Sequence, residues 1–313
     1  MSRAFVFPGQ GSQAVGMGLP LAEAFAAARE VFEEVDDALD LKLSKLMFEG
    51  PADELTLTEN AQPALMAASL AVLRVLEREG GIELPKAASH VAGHSLGEYS
   101  ALAAVRSLTL ADAARLLRLR GLSMQAAVPV GAGAMAALIG VDFDEAVKIA
   151  EDAAGDEVCA VANDNGGRQC VLSGDKAAVE RATALAEERG VKRAIMLQVS
   201  APFHCELMAP AAEAMGVVLG DADLRPPRIP IVANVTAKAV SDPDTIRRLL
   251  VEQVTSMVRW RESIQFLAGQ GIDTIVELGT GRVLSGLARR IEKSLKTHHA
   301  ETPEDIEALL KVL

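Results

Sequence analysis

Ser89-His90-Val91-Ala92-Gly93-His94-Ser95-Leu96-Gly97-Glu98-Tyr99-Ser100-Ala101-Leu102-Ala103-Ala104-Val105 is the stretch on which the fold turns. Residues 89–93 read as a short buried strand, and 96–105, rich in alanine and leucine, as a helix. Between them lies G-x-S-x-G. A strand, a tight turn and a helix in that order form the setting of a nucleophile elbow. The turn pushes the serine side chain out of the sheet, and small residues at Gly93 and Gly97 let neighbouring backbone approach. The helix starts directly behind Ser95, so its free N–H groups and dipole favour a developing negative charge. The Leu96 N–H is the natural oxyanion donor. The competing reading is that Ser95 is only a helix N-cap, a position serine favours.

Outward from this stretch the pattern alternates. Residues 4–7 predict a buried strand ending at Pro8-Gly9, and 21–39, 61–79 and 110–127 predict helices. Strands at 229–234 and 274–277 and helices at 244–253, 261–270, 284–294 and 303–312 continue the series. This argues for an α/β layered fold with a largely parallel sheet. The middle differs. Strand 134–141, helix 144–153 capped at Asp142, strands 158–163 and 169–173, helix 176–189 and strand 192–199 give the order βαββαβ, a small ferredoxin-like unit. Asp164-Asn165-Gly166-Gly167 is the expected turn between its middle strands. The expected division is a discontinuous domain, 1–127 with 199–313, and an inserted subdomain at 128–198.

Composition narrows the function. Of 313 residues, half are hydrophobic, 31 are Lys or Arg and 43 are Asp or Glu, for a net charge of −12. Mean hydropathy is +0.22 and the isoelectric point about 5.0. Such a chain has enough apolar material for a large core and is not a basic nucleic-acid binder. Cys159, Cys170 and Cys205 lie far apart without a C-x-x-C, which fits a reducing compartment. The longest charge-free stretch, 122–141, is broken by Pro129 and three glycines, and no secretory leader is visible. The expectation is a cytoplasmic protein that neither binds nor crosses a membrane.

A serine nucleophile needs a base. His298 and His299 fall in a polar stretch expected to face solvent. His90 and His94 stand on a strand and a turn, without the helical H-E-x-x-H of a zinc site, so no metal is expected there. His94, beside Ser95, suits a structural hydrogen bond. His204, in Ser200-Ala201-Pro202-Phe203-His204-Cys205, lies where the insert returns to the large domain, a plausible cleft rim; a buried, satisfied histidine is the alternative. Cys205 reads as a small buried thiol. At 100° per residue, Arg120 falls on the apolar face with Ala113, Leu116, Leu117 and Met124, opposite Arg115 and Arg118. An unpaired guanidinium there is costly. It requires an anion, either an internal carboxylate or a bound one. Gly9-Gln10-Gly11-Ser12-Gln13-Ala14 formally matches the dinucleotide-binding G-x-G-x-x-A, but Pro8 precedes it and no acidic residue ends a second strand. Gly279-Thr280-Gly281-Arg282 lacks the Lys-Ser/Thr of a phosphate-binding loop.

Taken together, Phe7-Pro8-Gly9-Gln10-Gly11-Ser12-Gln13, Gly93-His94-Ser95-Leu96-Gly97-Glu98-Tyr99, Arg120, Pro202-Phe203-His204 and Glu277-Leu278-Gly279 resemble the malonyl-CoA:acyl carrier protein transacylase family of type II fatty acid synthesis. The resemblance spans nearly the whole chain. It implies an α/β-hydrolase-like core with a ferredoxin-like insert, and an acyltransferase that passes malonyl from malonyl-CoA to the phosphopantetheine thiol of acyl carrier protein through a malonyl-serine. It further implies Ser95 as nucleophile, His204 as base, the N–H groups of Gln10 and Leu96 as oxyanion hole, and Arg120 as the malonyl-carboxylate ligand. A backbone carbonyl orients the histidine in this family; the resemblance places it at Arg259, before Trp260, where glutamine is frequent. Phe203 before the histidine goes with malonyl in related polyketide domains. No metal or redox cofactor is implied, and a monomer is expected. Docking of an acidic carrier protein on an acidic chain requires a local basic patch, with Arg282, Arg289, Arg290, Lys293 and Lys296 as candidates. A serine hydrolase using the same pair, and a nucleotide-binding module using the Gly9–Ala14 loop, are the rival readings.

Overall fold

The computed structural model describes residues 2–313. Ten strands occur in chain order: β1 Arg3–Phe7, β2 His90–Gly93, β3 Gly133–Ile139, β4 Cys159–Gly166, β5 Gln169–Asp175, β6 Arg193–Met196, β7 Ile231–Ala233, β8 Lys238–Val240, β9 Thr274–Leu278 and β10 Lys296–Ala300. They form two sheets, a six-stranded one in the order β10-β9-β1-β2-β7-β8 and a four-stranded one in the order β4-β5-β3-β6. The fold is therefore mixed α/β, with one largely parallel and one separate antiparallel sheet.

In the larger sheet β10, β9, β1, β2 and β7 run parallel, and β8 returns antiparallel. Central strands covered by helices on both faces are apolar throughout, and β1 meets that condition. Side chains alternate across it. Phe5 and Phe7 enter the main core with Leu65, Leu73 and Leu102, whereas Ala4 and Val6 face Trp260, Ile264 and Leu287. The register pairs Phe7 with Gly93 and Val6 with Glu277. The carboxyl ends of β1, β2 and β9 thus finish level. The Pro8 loop, the Ser95 turn and the Gly279 loop emerge at one edge, where open α/β sheets hold their ligands.

The smaller sheet buries Leu138 and Leu172 against Ala146 and Ile149 of the Phe143–Ala154 helix and Ala182 of the Lys176–Glu188 helix. Its opposite face turns Met135 and Val171 toward that same edge. Two register shifts bend β4. At the bend Asn163 bridges to Val258, and the Arg261 Nε donates to Asp164 Oδ2 at 2.7 Å, tying the smaller sheet to the start of the Trp260–Gly269 helix.

Several local expectations change. β4 continues through Gly166, so the hairpin turn is Gly167-Arg168, both with positive φ (58° and 62°), as a two-residue hairpin of the primed type requires. Asp142 occupies the helix cap position without a side-chain hydrogen bond. The 21–39 helix divides at the extended Phe25 into Leu19–Ala24 and Ala26–Leu39. His298 and His299 are in β10 and only partly exposed; their polar surroundings belong to an edge strand, which tolerates such residues on its open side. The Ala209–Asp221 helix, which the sequence reading does not include, buries Ala211, Met215 and Leu219 at helical spacing.

A Cβ at Gly93 would lie 1.9 Å from the Gly97 carbonyl carbon and oxygen, and one at Gly97 would lie 2.3 Å from the Phe7 oxygen. Strand, elbow helix and Pro8 loop are in backbone contact here. Gly93→Ala is expected to cost about 3 kcal/mol or more of stability in urea unfolding, since neither backbone can retreat; an unchanged midpoint would contradict this packing.

Candidate active site

Ser95 joins β2 to the Gly97–Ala104 helix with φ 53°, a left-handed conformation that is unusual for serine. Asn234, just after β7, clamps the turn: its Oδ1 accepts from the Ser95 N–H (2.7 Å) and its Nδ2 donates to the Gly93 oxygen (2.6 Å). The His94 N–H donates to the Phe7 oxygen at 3.0 Å. With its backbone held on both sides, the side chain has one direction open, out of the sheet into a cleft of about 360 Å³.

His204 meets it there. Ser95 Oγ and His204 Nε2 are 2.7 Å apart, across 109 residues of chain. His204 also has positive φ (59°) and is buried. Its Nδ1 faces the carbonyl oxygens of Gln253 (2.9 Å) and Ser256 (3.1 Å). Carbonyls only accept, so Nδ1 carries the proton and Nε2 presents its lone pair to the serine hydroxyl. Burial, then the Arg120 charge, lower the imidazole to about 3, so it stays neutral at physiological pH, with the Nε2 lone pair free. The orienting carbonyls are thus not that of Arg259. The Arg259 N–H donates to the Asn234 oxygen, and its side chain reaches Glu262. Gln253 ends the Pro243–Gln253 helix, where the last carbonyls have no partner within the helix and are free to accept from an imidazole.

Arg120, in the Leu110–Ala126 helix, is 1 % exposed. Its Nη1 donates to Gln62 Oε1 (2.8 Å), and its Nη2 to Gln253 Oε1 (2.9 Å) and to Ser95 Oγ (3.3 Å). The Tyr99 ring lies 5.8 Å from its Cζ. The expected alternative of an internal salt bridge is absent: among the described residues no carboxylate lies within ion-pair distance. The Nε has no partner either. A cation held by neutral amides at the cleft floor retains its appetite for an anion.

Gln10 and Leu96 also line the cleft. Neither backbone N–H has a protein acceptor among the described residues. The Gln10 side chain is turned away, its Oε1 accepting from Thr58 Oγ1 at 2.9 Å. Gly9 lies against the elbow, where a Cβ would come within 2.8 Å of the His94 oxygen. No helix opens directly behind this loop; the next begins at Leu19. The dinucleotide fingerprint, which needs such a helix for its pyrophosphate, is therefore not formed. His94 Nε2 faces Asn165 Oδ1 at 2.9 Å, and its ring packs on Trp260. Burial raises the Cys205 thiol, which disfavours a thiolate. Among the described residues no three His, Cys, Asp or Glu side chains are grouped to hold a metal, and no helix is long and apolar enough to cross a membrane.

Four polar side chains escaped the sequence reading: Gln62, Glu98, Asn234 and Gln253. All are buried. Gln62 and Gln253 carry the signal that singled out Arg120, a polar residue on an apolar helical stripe. Gln253 follows Ile246, Leu249 and Leu250 at helical spacing.

Residues 4–304 match the family described as "Acyl transferase domain". A malonyl CoA-acyl carrier protein transacylase of Bacillus subtilis is 47 % identical over 312 residues, covering 99 % of this chain and 96 % of that protein. The crystal structure of an acyl-carrier-protein S-malonyltransferase from Bartonella henselae superposes with a TM-score of 0.97 at 56 % identity, covering 100 % of this chain and 99 % of the other. A malonyl-transacylase solved in complex with its type II PKS acyl-carrier protein gives 0.96 at 41 % identity, with complete coverage of both chains. The chain belongs to the malonyl CoA-acyl carrier protein transacylase family of acyl transferases.

Proposed function

We propose that this chain transfers malonyl from malonyl-CoA to the phosphopantetheine thiol of acyl carrier protein, by way of a malonyl ester on Ser95, for fatty acid biosynthesis. The observation that carries this reading is a serine–imidazole pair at 2.7 Å beside a buried guanidinium that has no carboxylate of its own.

The malonyl carboxylate binds the Arg120 fork, which brings the thioester carbonyl over Ser95. His204 Nε2 takes the hydroxyl proton as Oγ attacks. The free N–H groups of Gln10 and Leu96 stabilise the tetrahedral oxyanion, each worth about 3 kcal/mol in such sites. The tetrahedral intermediate collapses, the C–S bond breaks, and the imidazolium returns its proton to the CoA sulfur. The carrier thiol then attacks the ester with His204 again as base, and Ser95 regains its proton. Met135, Val171, Phe203, Leu284 and Leu287 give the cleft an apolar lining that disfavours water in competition with the thiol. No step calls on a metal or redox cofactor.

In this reading 1–127 and 199–313 form the catalytic domain and 128–198 the subdomain that roofs its cleft. Of the basic residues proposed to meet an acidic carrier protein, Arg289 and Arg290 fall on the Val283–Ile291 helix, whose first turns line the cleft, with Arg282 just before it and Lys293 just after it. Arg289 and Arg290 there have no ion-pair partner among the described residues, whereas Arg282 approaches Asp305 at 3.9 Å and Lys296 lies on the edge strand β10. We place the enzyme in the cytoplasm as a monomer.

Wild-type protein mixed with malonyl-CoA should gain one malonyl group, located by peptide mass spectrometry on Ser95, and Ser95→Ala should gain none; a stoichiometric adduct on that variant would overturn the nucleophile assignment. Arg120→Ala removes charge-assisted hydrogen bonds to the substrate and should lower kcat/KM for malonyl-CoA about 100-fold while sparing acetyl-CoA; equal losses would make the arginine structural. In NMR spectra the His204 ring should show no titration between about pH 8 and pH 5, because its lowered pKa keeps the neutral form throughout that window. A midpoint near the ordinary value would contradict a buried base.

A further inference from the structure

Glu98 lies behind the proposed catalytic group and touches none of the reacting atoms. It follows Gly97 in the elbow helix and is 2 % exposed. Its Oε2 accepts from two donors, the Gln253 Nε2 (2.8 Å) and the Asn234 backbone N–H (3.0 Å). Gln253 is the busiest residue of the site. Its Nε2 also donates to the Ser95 oxygen (3.1 Å), its Oε1 accepts from Arg120 Nη2 (2.9 Å), and its main-chain oxygen accepts from His204 Nδ1 (2.9 Å). Asn234 is the clamp on the Ser95 turn. One carboxylate oxygen therefore anchors both residues that hold the elbow, the base and the arginine.

We infer that Glu98 is a positioning residue for malonyl transfer, which locks the Gln253 amide as a neutral spacer between a buried carboxylate and the Arg120 guanidinium. The inference rests on the proposed roles of Ser95, His204 and Arg120. A carboxylate placed directly on Arg120 would satisfy the guanidinium and compete with the substrate's own carboxylate. The chain Glu98–Gln253–Arg120 instead passes on orientation without an ion pair. Each amide end is specified: Nε2 faces two acceptors, the Glu98 and Ser95 oxygens, and Oε1 faces a group that only donates. Burial raises the Glu98 carboxyl to about 7. Since both groups facing Oε2 can only donate, that oxygen accepts whether or not the carboxyl carries a proton, and glutamine is the conservative replacement.

The test is rapid-quench acylation of Glu98→Met, Glu98→Gln and Gln253→Met by malonyl-CoA and by acetyl-CoA, well below the melting temperature of each folded variant. Misplacing a substrate-orienting group by about 1 Å can cost 100-fold. Glu98→Met should lower malonyl acylation at least about tenfold and reduce the malonyl-to-acetyl rate ratio by about tenfold, whereas Glu98→Gln should stay within about threefold of wild type. If Glu98→Met does not fold, Gln253→Met decides the matter; it removes the same amide, keeps the carbonyl facing His204, and should lower the ratio likewise. An unchanged ratio in the folded variant, including equal loss for both acyl groups, overturns the inference. The residual adduct is mapped in every variant. Acylation that persists in Ser95→Ala would instead overturn the underlying reading of the site.

Discussion

A positive charge buried at the floor of a cleft, with no carboxylate of the protein in ion-pair contact with it, is the constraint on which the arrangement around it depends. Removing an ion from water costs several kcal/mol even after relaxation. In this chain the cost is partly offset by Gln62, Gln253 and the face of Tyr99, all of them neutral groups. The same charge acts on the imidazole, since Arg120 adds to burial in holding His204 neutral.

Such a charge needs rigid surroundings, because a mobile arginine would swing to solvent. Rigidity comes mainly from backbone. The level carboxyl ends of β1, β2 and β9 and the glycine contacts between Gly93, Gly97 and Phe7 leave the elbow no room to relax. Ser95 and His204 both adopt positive φ, a conformation that costs about 1–3 kcal/mol outside glycine and persists only where its surroundings enforce it. The group that orients the histidine is also backbone, the free carbonyls of Gln253 and Ser256 near a helix end. Gln253 thereby couples His204 and Arg120: its main chain meets one and its side chain the other.

How much of this was legible depended on the range of the interaction. The elbow was readable from the single stretch 89–105, because strand, turn and helix obey local sterics. Arg120 was readable from one helix, because a 3.6-residue period tells which side chains share a face. The two-sheet division followed from the order of elements, and the displaced hairpin turn at Gly167-Arg168 from a register shift in β4 that no local pattern records. β10 was missed because an edge strand need not be apolar.

The chain's own residue order determined that a serine would stand on a sharp bend, that a histidine would follow the smaller sheet, and that an arginine would project from the wrong face of a helix. Only the tertiary structure decided that these three meet, that Gln253 and Ser256 rather than Arg259 present the carbonyls, and that the arginine finds amides instead of a carboxylate. The reason is physical. Backbone conformation and periodicity are set within a few residues, but partners 25 to 158 positions apart are chosen by sheet register and by which polar groups the closing core leaves without water.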